Sequence, residues 1–207
     1  MKCFIFCSGK VSSYDFLKDI DFENSFVISA DGGQTHTDAL GVLPDVWMGD
    51  GDSLQKEAPK AKELLKFPAK KDNTDTDLAV MYALEKGFKD ITIIGALGGR
   101  FDHEFSHLLL LKKILESGGD GKILDEKNFI TLYDKSFCLK SNGMKYVSFF
   151  PFGGDVEGFS VEDMLYEAKN ITLKCGLVQA SSNQFLDGKT AKITFSDGCV
   201  LVVCSDD

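Results

Sequence analysis

The chain has few of the features that mark membrane, zinc-binding or nucleic-acid-binding proteins. No run approaches the roughly 20 apolar residues of a membrane-spanning helix. The six cysteines form no Cys-x-x-Cys pair, which disfavours a zinc site. The formal charge of −9 disfavours nonspecific nucleic-acid binding, because such binding needs a basic face. Residues Met1 to Cys7 show no signal-peptide pattern. We therefore expect a soluble, cytoplasmic protein with reduced thiols.

Two common nucleotide-binding motifs are also missing. There is no G-x-x-x-x-G-K-[ST] loop, and there is no G-x-G-x-x-G fingerprint of the kind that binds nicotinamide cofactors. Three short acidic blocks in the first half of the chain take their place. Each combines carboxylates with Gly, Lys or Arg, and each follows an expected strand or precedes an expected helix. They are Gly49–Ser53, Lys71–Asp75 and Gly98–His103.

This mixture of residues suits a hard cation bound together with a polyphosphate. Mg²⁺ prefers oxygen ligands and is usually held by one or two carboxylates plus substrate phosphates. Two glycines before Arg100 allow backbone N–H groups and a guanidinium to face an anion. Each block alone also fits a polar turn or a helix cap, and His103 is either a proton shuttle or a structural residue. Because ends of neighbouring parallel strands converge, the three together favour a metal–polyphosphate site.

The first part of the chain alternates between apolar strand patterns and helix patterns. This alternation predicts an α/β fold with a doubly wound, mostly parallel sheet and a site at the carboxyl ends of its strands. Asp31, Gly32 and Gly33 form a βα turn where backbone approaches a ligand. The expected strands are Cys3–Cys7, Phe26–Ala30, Val46–Met48 and Ile91–Gly95. The expected helices lie near Tyr14–Leu17 and at Gln34–Leu40, Glu57–Leu65, Thr74–Lys86 and Glu104–Glu116.

The pattern changes near residue 120, where Ser117–Gly121 contains three glycines. Beyond it, short apolar runs alternate with Asn-Gly and Asp-Gly turns, which are hairpin signals. We therefore expect one domain over 1–120 and a small all-β domain, a sandwich or a barrel, over 121–207. The expected strands are Phe129–Leu132, Tyr146–Phe150, Ile171–Leu173, Ala191–Phe195 and Val200–Val203.

The order and spacing of these motifs resemble those of the thiamin pyrophosphokinase family. The resemblance covers nearly the whole chain and is carried by Ser29–Gly33, Pro44-Asp45 with Gly49–Ser53, Lys71–Asp75, Gly95–His103 and Ala180–Asn183. It implies transfer of the pyrophosphoryl group of ATP to the hydroxyl of thiamin. It also implies a nucleotide domain followed by a β-sandwich that binds thiamin, and a homodimer with sites shared between subunits.

The resemblance also implies roles for individual residues. Asp50, Asp52 and Asp75 would bind Mg²⁺ and, together with Asp72, act in catalysis. The general base is either Asp75 or Asp52. The implied nucleotide-binding residues are Asp31, Gly32, Gly33, Lys71, Gly98, Gly99, Arg100 and Asp102. The implied thiamin-binding residues are Ser182, Asn183, Thr74 and His103.

The sequence departs from the family pattern at two positions. Gly51 stands where the family usually has an aromatic residue, and His107 stands where it often has Asn. The only tryptophan is Trp47 in the first domain, so stacking on thiamin from the β domain must use Tyr or Phe, for example Tyr166. Two other functions fit the acidic blocks. One is a metal-dependent phosphohydrolase, and the other is a non-catalytic sensor of nucleotide or thiamin diphosphate.

Overall fold

The computed structural model describes residues 1–51, 58–68 and 72–207. Two compact units follow one another along the chain, Met1–Glu126 and Lys127–Asp207. The first unit extends beyond residue 120, where the sequence pattern placed the boundary. The reason is that Asp120–Leu124 forms a strand paired in parallel with Asp90–Ile94. No helix among the described residues is long and apolar enough to cross a membrane.

The first unit is an α/β structure whose described strands are all parallel. Their order across the sheet is β6-β5-β1-β2-β3-β4. The strands are β1 (Lys2–Phe6), β2 (Phe26–Ala30), β3 (Val46–Gly49), β4 (Glu63–Lys66), β5 (Asp90–Ile94) and β6 (Asp120–Leu124). The helices are α1 (Gln34–Leu40), α2 (Asp75–Glu85) and α3 (Phe101–Glu116), and short 3₁₀ turns cover Asp15–Leu17 and Asp31–Gly33.

The central strands are buried because they are apolar throughout. In β1 the four residues after Lys2 are buried, and β5 repeats this pattern after Asp90. Such continuous burial is typical of parallel strands covered on both faces. Phe4, Phe6 and Ile94 share one apolar cluster with Leu17 and Val27. This core holds the ends of β1, β2 and β5 side by side.

Two expected elements of the first unit differ in the structure. The helix expected over Glu57–Leu65 is wrong, because Glu63–Lys66 is the strand β4. Leu64 and Leu65 pair in register with Trp47 and Met48 of β3, and this pairing overrides the helix propensity of the segment. The helix expected near Tyr14–Leu17 is a single 3₁₀ turn.

The second unit contains two antiparallel sheets. Their strand orders are β12-β9-β14-β7 and β11-β10-β13-β8. The strands are β7 (Asn128–Tyr133), β8 (Phe137–Lys140), β9 (Tyr146–Pro151), β10 (Val156–Glu162), β11 (Ala168–Leu173), β12 (Ala180–Asn183), β13 (Thr190–Thr194) and β14 (Val200–Ser205). Side chains from both sheets form one core, in which the rings of Phe149 and Phe159 lie 5.6 Å apart. The five expected strands of this unit are confirmed, and β8, β10 and β12 are additional.

Candidate active site

A cavity of about 230 Å³ opens where the chain leaves β1 and β5. The strands that follow β1 and β5 along the chain lie on opposite sides of this pair, and such a reversal point is where ligands bind in open α/β sheets. The side chains and backbone that line the cavity come from the ends of both strands and from α2 and α3. They are Cys7, Ser8, Gly9, Thr76, Gly95, Ala96, Gly99, Arg100, His103, Glu104 and His107.

Asp31 lies at the end of β2, the other neighbour of β1. Its side chain is only 7% exposed, and its Oδ1 has no hydrogen-bond partner among the described residues. Its φ angle is 45°, in the left-handed region that Asp tolerates better than most residues. A Cβ placed on Gly49 would lie 3.0 Å from this Oδ1, so the carboxylate abuts the end of β3 immediately before Asp50. A buried carboxylate oxygen that receives no hydrogen bond can coordinate a cation instead.

The N-terminus of α2 lies against the end of β1. Thr76 Oγ1 donates a hydrogen bond to Cys7 Sγ at 3.3 Å, and this contact places Asp75 near the strand ends. Thr74 caps the helix, because its hydroxyl accepts a hydrogen bond from Asp77 N at 3.1 Å. Asp72 and Thr74 are exposed and Asp75 is partly buried. The predicted site residues Asp52 and Lys71 lie outside the described residues.

The donor set at these strand ends suits Mg²⁺. Asp31, Asp50 and Asp75 supply only carboxylate oxygens, which are hard ligands, and Asp31 offers a buried oxygen without a partner. The described residues contain no group of three metal-ligating side chains that could hold an ion by themselves. Gly51 has a φ of 85°, so the chain turns after Asp50 through a conformation that favours glycine over the family's aromatic residue.

The Gly98–His103 block is held by its own carboxylates. Arg100 donates to Asp102 from Nε at 3.1 Å and from Nη2 at 2.5 Å, and both side chains are exposed. These hydrogen bonds lower the pKa of the Asp102 carboxyl. Gly99 N donates to Glu104 Oε1 at 2.8 Å. In this structure the N–H of Gly99 and the guanidinium of Arg100 therefore bond to carboxylates of the protein itself, and their contact with a phosphate stays a prediction.

Two buried histidines tie the strand-end loops to the helices. His36 Nε2 lies 2.8 Å from the carbonyl oxygen of Gly9, and its Nδ1 lies 2.9 Å from the Tyr14 hydroxyl. His107 Nδ1 lies 2.7 Å from the carbonyl oxygen of Ala96. Burial lowers the pKa of both imidazoles. His103, by contrast, is exposed at the start of α3.

This burial predicts that the protein loses stability in mild acid. The unfolded-state pKa of histidine is about 6.5. Above that pH the imidazole is neutral in both the folded and the unfolded protein, so its lowered folded-state pKa does not change the free energy of unfolding. Below it, the unfolded chain takes up protons that the folded histidines do not. Each of His36 and His107 then lowers the free energy of unfolding by up to about 1.4 kcal/mol per pH unit. Urea unfolding at several pH values between pH 7.5 and 5 measures this slope.

Substitutions test whether the buried imidazoles cause this pH dependence of the unfolding free energy. His36→Gln is expected to flatten the pH dependence of the unfolding free energy. His107→Gln is expected to flatten it as well, because that ring is also buried. Equal slopes in the wild type and in His36→Gln would contradict the assignment of this acid sensitivity to His36.

In the second unit, Asn183 is buried and its amide is engaged with backbone. Its Oδ1 accepts hydrogen bonds from Tyr166 N and Gln184 N, each at 2.9 Å, and its Nδ2 donates to Tyr166 O at 2.7 Å. Asn183 therefore fixes the backbone of Tyr166, whose side chain is 63% exposed. Ser182 is exposed and has a φ of 57°, and its N–H donates to Ser148 Oγ at 2.9 Å. The thiamin contacts expected of Ser182 and Asn183 stay predictions.

Asn183→Ala is expected to lower the free energy of unfolding by about 1–3 kcal/mol, because it leaves two N–H groups and a carbonyl without their partner. Chemical denaturation measures the change. Ser181→Ala, an exposed position on the same strand β12, serves as the control and is expected to change stability by less than about 0.5 kcal/mol. An Asn183→Ala protein as stable as this control would contradict the structural role of the amide.

Both units match models of one enzyme family. Residues 18–120 match the thiamin pyrophosphokinase catalytic domain, and residues 137–200 match the thiamin pyrophosphokinase vitamin B1 binding domain. The chain belongs to the thiamin pyrophosphokinase family. It is 28% identical over 192 residues to thiamine pyrophosphokinase of Bacillus subtilis (strain 168), covering 89% of each chain.

Solved structures of thiamin pyrophosphokinases have the same fold as this chain. The crystal structure of thiamine pyrophosphokinase from Bacillus subtilis superposes with a TM-score of 0.91 at 27% identity, covering all of both chains. That of thiamin pyrophosphokinase from Geobacillus thermodenitrificans gives 0.88 at 26% identity, covering 100% of this chain and 98% of the other. The fold is thus a mixed α/β structure with an additional small antiparallel sheet, as in these enzymes.

In this thiamin pyrophosphokinase family member, sequence reasoning missed part of the cavity lining. Cys7, Thr76 and Glu104 were not among the predicted site residues, although all three line the cavity. Thr76 carried one usable signal, since it follows directly after Asp75 at the start of a predicted helix. Cys7 carried none, because its place depends on how β1 and β5 pair. Glu104 carried none either, because the first turn of α3 brings it back to Gly99.

Proposed function

We propose that this chain is a thiamin diphosphokinase that transfers the pyrophosphoryl group of ATP to the hydroxyl of thiamin. The products are thiamin diphosphate and AMP. The observation that carries the proposal is the pair of family matches, one in the catalytic unit and one in the vitamin B1 binding unit. The carboxylates at the ends of neighbouring strands β2 and β3 support it, because phosphoryl-type transfer depends on positioning and on neutralising charge.

Mg²⁺ is the proposed cofactor, and Asp50, Asp52 and Asp75 would hold it together with the phosphates of ATP. When bound, Mg²⁺ would supply positive charge against the negative triphosphate. The Oδ1 of Asp31, which has no hydrogen-bond partner among the described residues, would add a further oxygen ligand beside Asp50. Attack on the β-phosphorus releases AMP, and the proton of the thiamin hydroxyl passes to a carboxylate, either Asp75 or Asp52.

The anion-facing groups of the third block are the proposed phosphate contacts. Arg100 presents a planar fork of donors at the mouth of the cavity, and Asp102 holds that fork with two hydrogen bonds. Lys71, Gly98 and the backbone of Gly99 are assigned to the same nucleotide site. A bound phosphate takes the place of the Glu104 carboxylate on Gly99 N, because that N–H can donate only once.

We further propose a doubly wound nucleotide domain, a β-sandwich that binds thiamin through Ser182 and Asn183, and a homodimer acting in the cytoplasm. Exposed apolar side chains in the second unit support the dimer, since Leu177 is 54% and Val178 75% exposed. Six cysteines without a disulfide support a reducing compartment. Light scattering of the purified chain tests the dimer.

The reaction is tested by incubating the purified chain with ATP, Mg²⁺ and thiamin and separating the nucleotide products. The proposal expects AMP only when thiamin is present, in amounts equal to the thiamin diphosphate formed. ADP, or nucleotide breakdown that ignores thiamin, would instead identify a phosphohydrolase. Binding of ATP without any product would identify a sensor.

A further inference from the structure

The cavity lining includes three buried side chains that carry polar atoms, which we call its buried end: Cys7, Thr76 and His107. His107 is 6% exposed, and its Nδ1 lies 2.7 Å from the carbonyl oxygen of Ala96. A carbonyl oxygen can only accept, so Nδ1 carries the proton. The neutral ring then has an unprotonated Nε2, which is a hydrogen-bond acceptor. Among the described residues Nε2 makes no hydrogen bond of its own.

The other two side chains keep this end uncharged. Thr76 donates its hydroxyl hydrogen to Cys7 Sγ, so its oxygen can only accept a further hydrogen bond. Burial raises the pKa of the Cys7 thiol to about 12 and lowers the pKa of His107, so both are neutral at pH 7. The other ionisable side chains of the described lining are Arg100, His103 and Glu104, of which Arg100 and His103 are exposed and Glu104 is partly buried.

We propose that the buried end of this cavity binds an aminopyrimidine ring, with Nε2 of His107 accepting a hydrogen bond from its exocyclic amino group. An uncharged acceptor matches an N–H donor and offers nothing to a phosphate, which needs donors or positive charge. The volume of about 230 Å³ suits one heterocycle rather than a whole nucleotide. The inference rests on the proposed function, since ATP and thiamin each carry an amino group on a pyrimidine ring.

Binding measurements on the full chain test this assignment and separate the two sources of the ring. Calorimetry gives Kd for ATP and for purine riboside triphosphate, which lacks the amino group. It also gives Kd for thiamin and for oxythiamin, in which an oxo group replaces the amino group. Each ligand is added alone, so no transfer occurs. The wild type is expected to prefer the amino compound of one pair by about tenfold.

Two substitutions probe the acceptor itself. His107→Asn places an amide near the position of Nδ1, which keeps the bond to Ala96 but removes the acceptor at Nε2. It is expected to reduce the tenfold preference to about one- to twofold. His107→Gln reaches the Nε2 position and is expected to restore most of the preference. Circular dichroism and urea unfolding show that each variant is folded.

The outcomes are distinct. Loss of the ATP preference in His107→Asn places the adenine ring beside His107, and loss of the thiamin preference places the thiamin pyrimidine there. Equal preferences in His107→Asn and the wild type would overturn the proposal, as would a wild type with no preference in either pair. A chain that shows the preference and makes no thiamin diphosphate would refute the proposed reaction while leaving the binding site standing.

Discussion

Asp75→Asn is expected to lower kcat for thiamin diphosphate formation by about 10²–10³-fold, the usual cost of removing one preorganised electrostatic group. The substitution removes one of the carboxylates proposed to bind Mg²⁺, and a neutral Asn lacks the charge of that ligand. Folding is expected to survive, because the cap of α2 belongs to Thr74 and not to Asp75. Steady-state kinetics at saturating ATP and thiamin measure the change, and a Mg²⁺ titration is expected to show a higher half-saturating concentration.

Asp77→Asn is the matched control, two residues further along the same helix turn. The Asp77 carboxylate is paired with Lys113 Nζ at 2.5 Å and is hydrogen-bonded by Asn73 Nδ2. Its loss is expected to cost about 0.5–1 kcal/mol of stability and to leave kcat within about twofold of the wild type. If both variants lost activity equally, the effect of Asp75→Asn would reflect the charge of the helix N-terminus rather than a ligand role.

Much of the first unit was predictable because its elements carry strong local signals. The buried strands β1, β2, β3 and β5 are short apolar runs, and a glycine or a polar residue follows each of them within two positions. Helix α2 was marked by Thr74 before an amphipathic stretch and by Gly87 after it, and the structure confirms the cap on Thr74. The convergence of polar groups at the strand ends followed from the parallel order alone.

Other features depend on contacts between distant residues, which local patterns do not contain. Glu63–Lys66 has the composition of a helix and becomes a strand because β3 offers it a partner. Strands β10 and β12 contain Gly158 and Ser182 in left-handed conformations and have irregular pairing, so their alternation is broken. Thr76 meets Cys7 across 69 positions of the sequence. The sequence alone therefore did not predict all the residues that line the cavity.

The same limit applies to the charged groups of the candidate site. The sequence indicated that Arg100 and the backbone of Gly99 can face a bound anion, and that contact stays a prediction. In the structure each of them bonds to a carboxylate anion of the protein itself. The sequence did not indicate that these anions are Asp102 and Glu104, because a bent turn and the first turn of a helix bring them back onto the loop. If the proposed phosphate contacts are right, the internal carboxylates hold these donors in place before substrate arrives, and Glu104 leaves Gly99 N on binding.

Gly33→Ala is expected to destabilise the protein by more than about 4 kcal/mol, well beyond the usual effect of one substitution. A Cβ at this position would lie 2.0 Å from the carbonyl oxygen and 2.5 Å from the carbonyl carbon of Phe6. That backbone cannot give way, because β1 pairs with β2 and with β5, and Cys7 N donates to Ile94 O at 2.8 Å. Thermal unfolding and the yield of folded protein measure the loss.

Gly99→Ala is the control, at another glycine assigned to the nucleotide site. No atom lies within 4 Å of a Cβ at Gly99, so the unfolding free energy is expected to change by less than about 0.5 kcal/mol. Gly33 has an ordinary φ of −57°, so close packing and not backbone conformation demands glycine there. The contrast separates two reasons for glycine. Gly33 lets α1 begin against the end of β1, whereas the role proposed for Gly99 is to contact the nucleotide. Gly99→Ala is therefore expected to weaken ATP binding in a protein of normal stability.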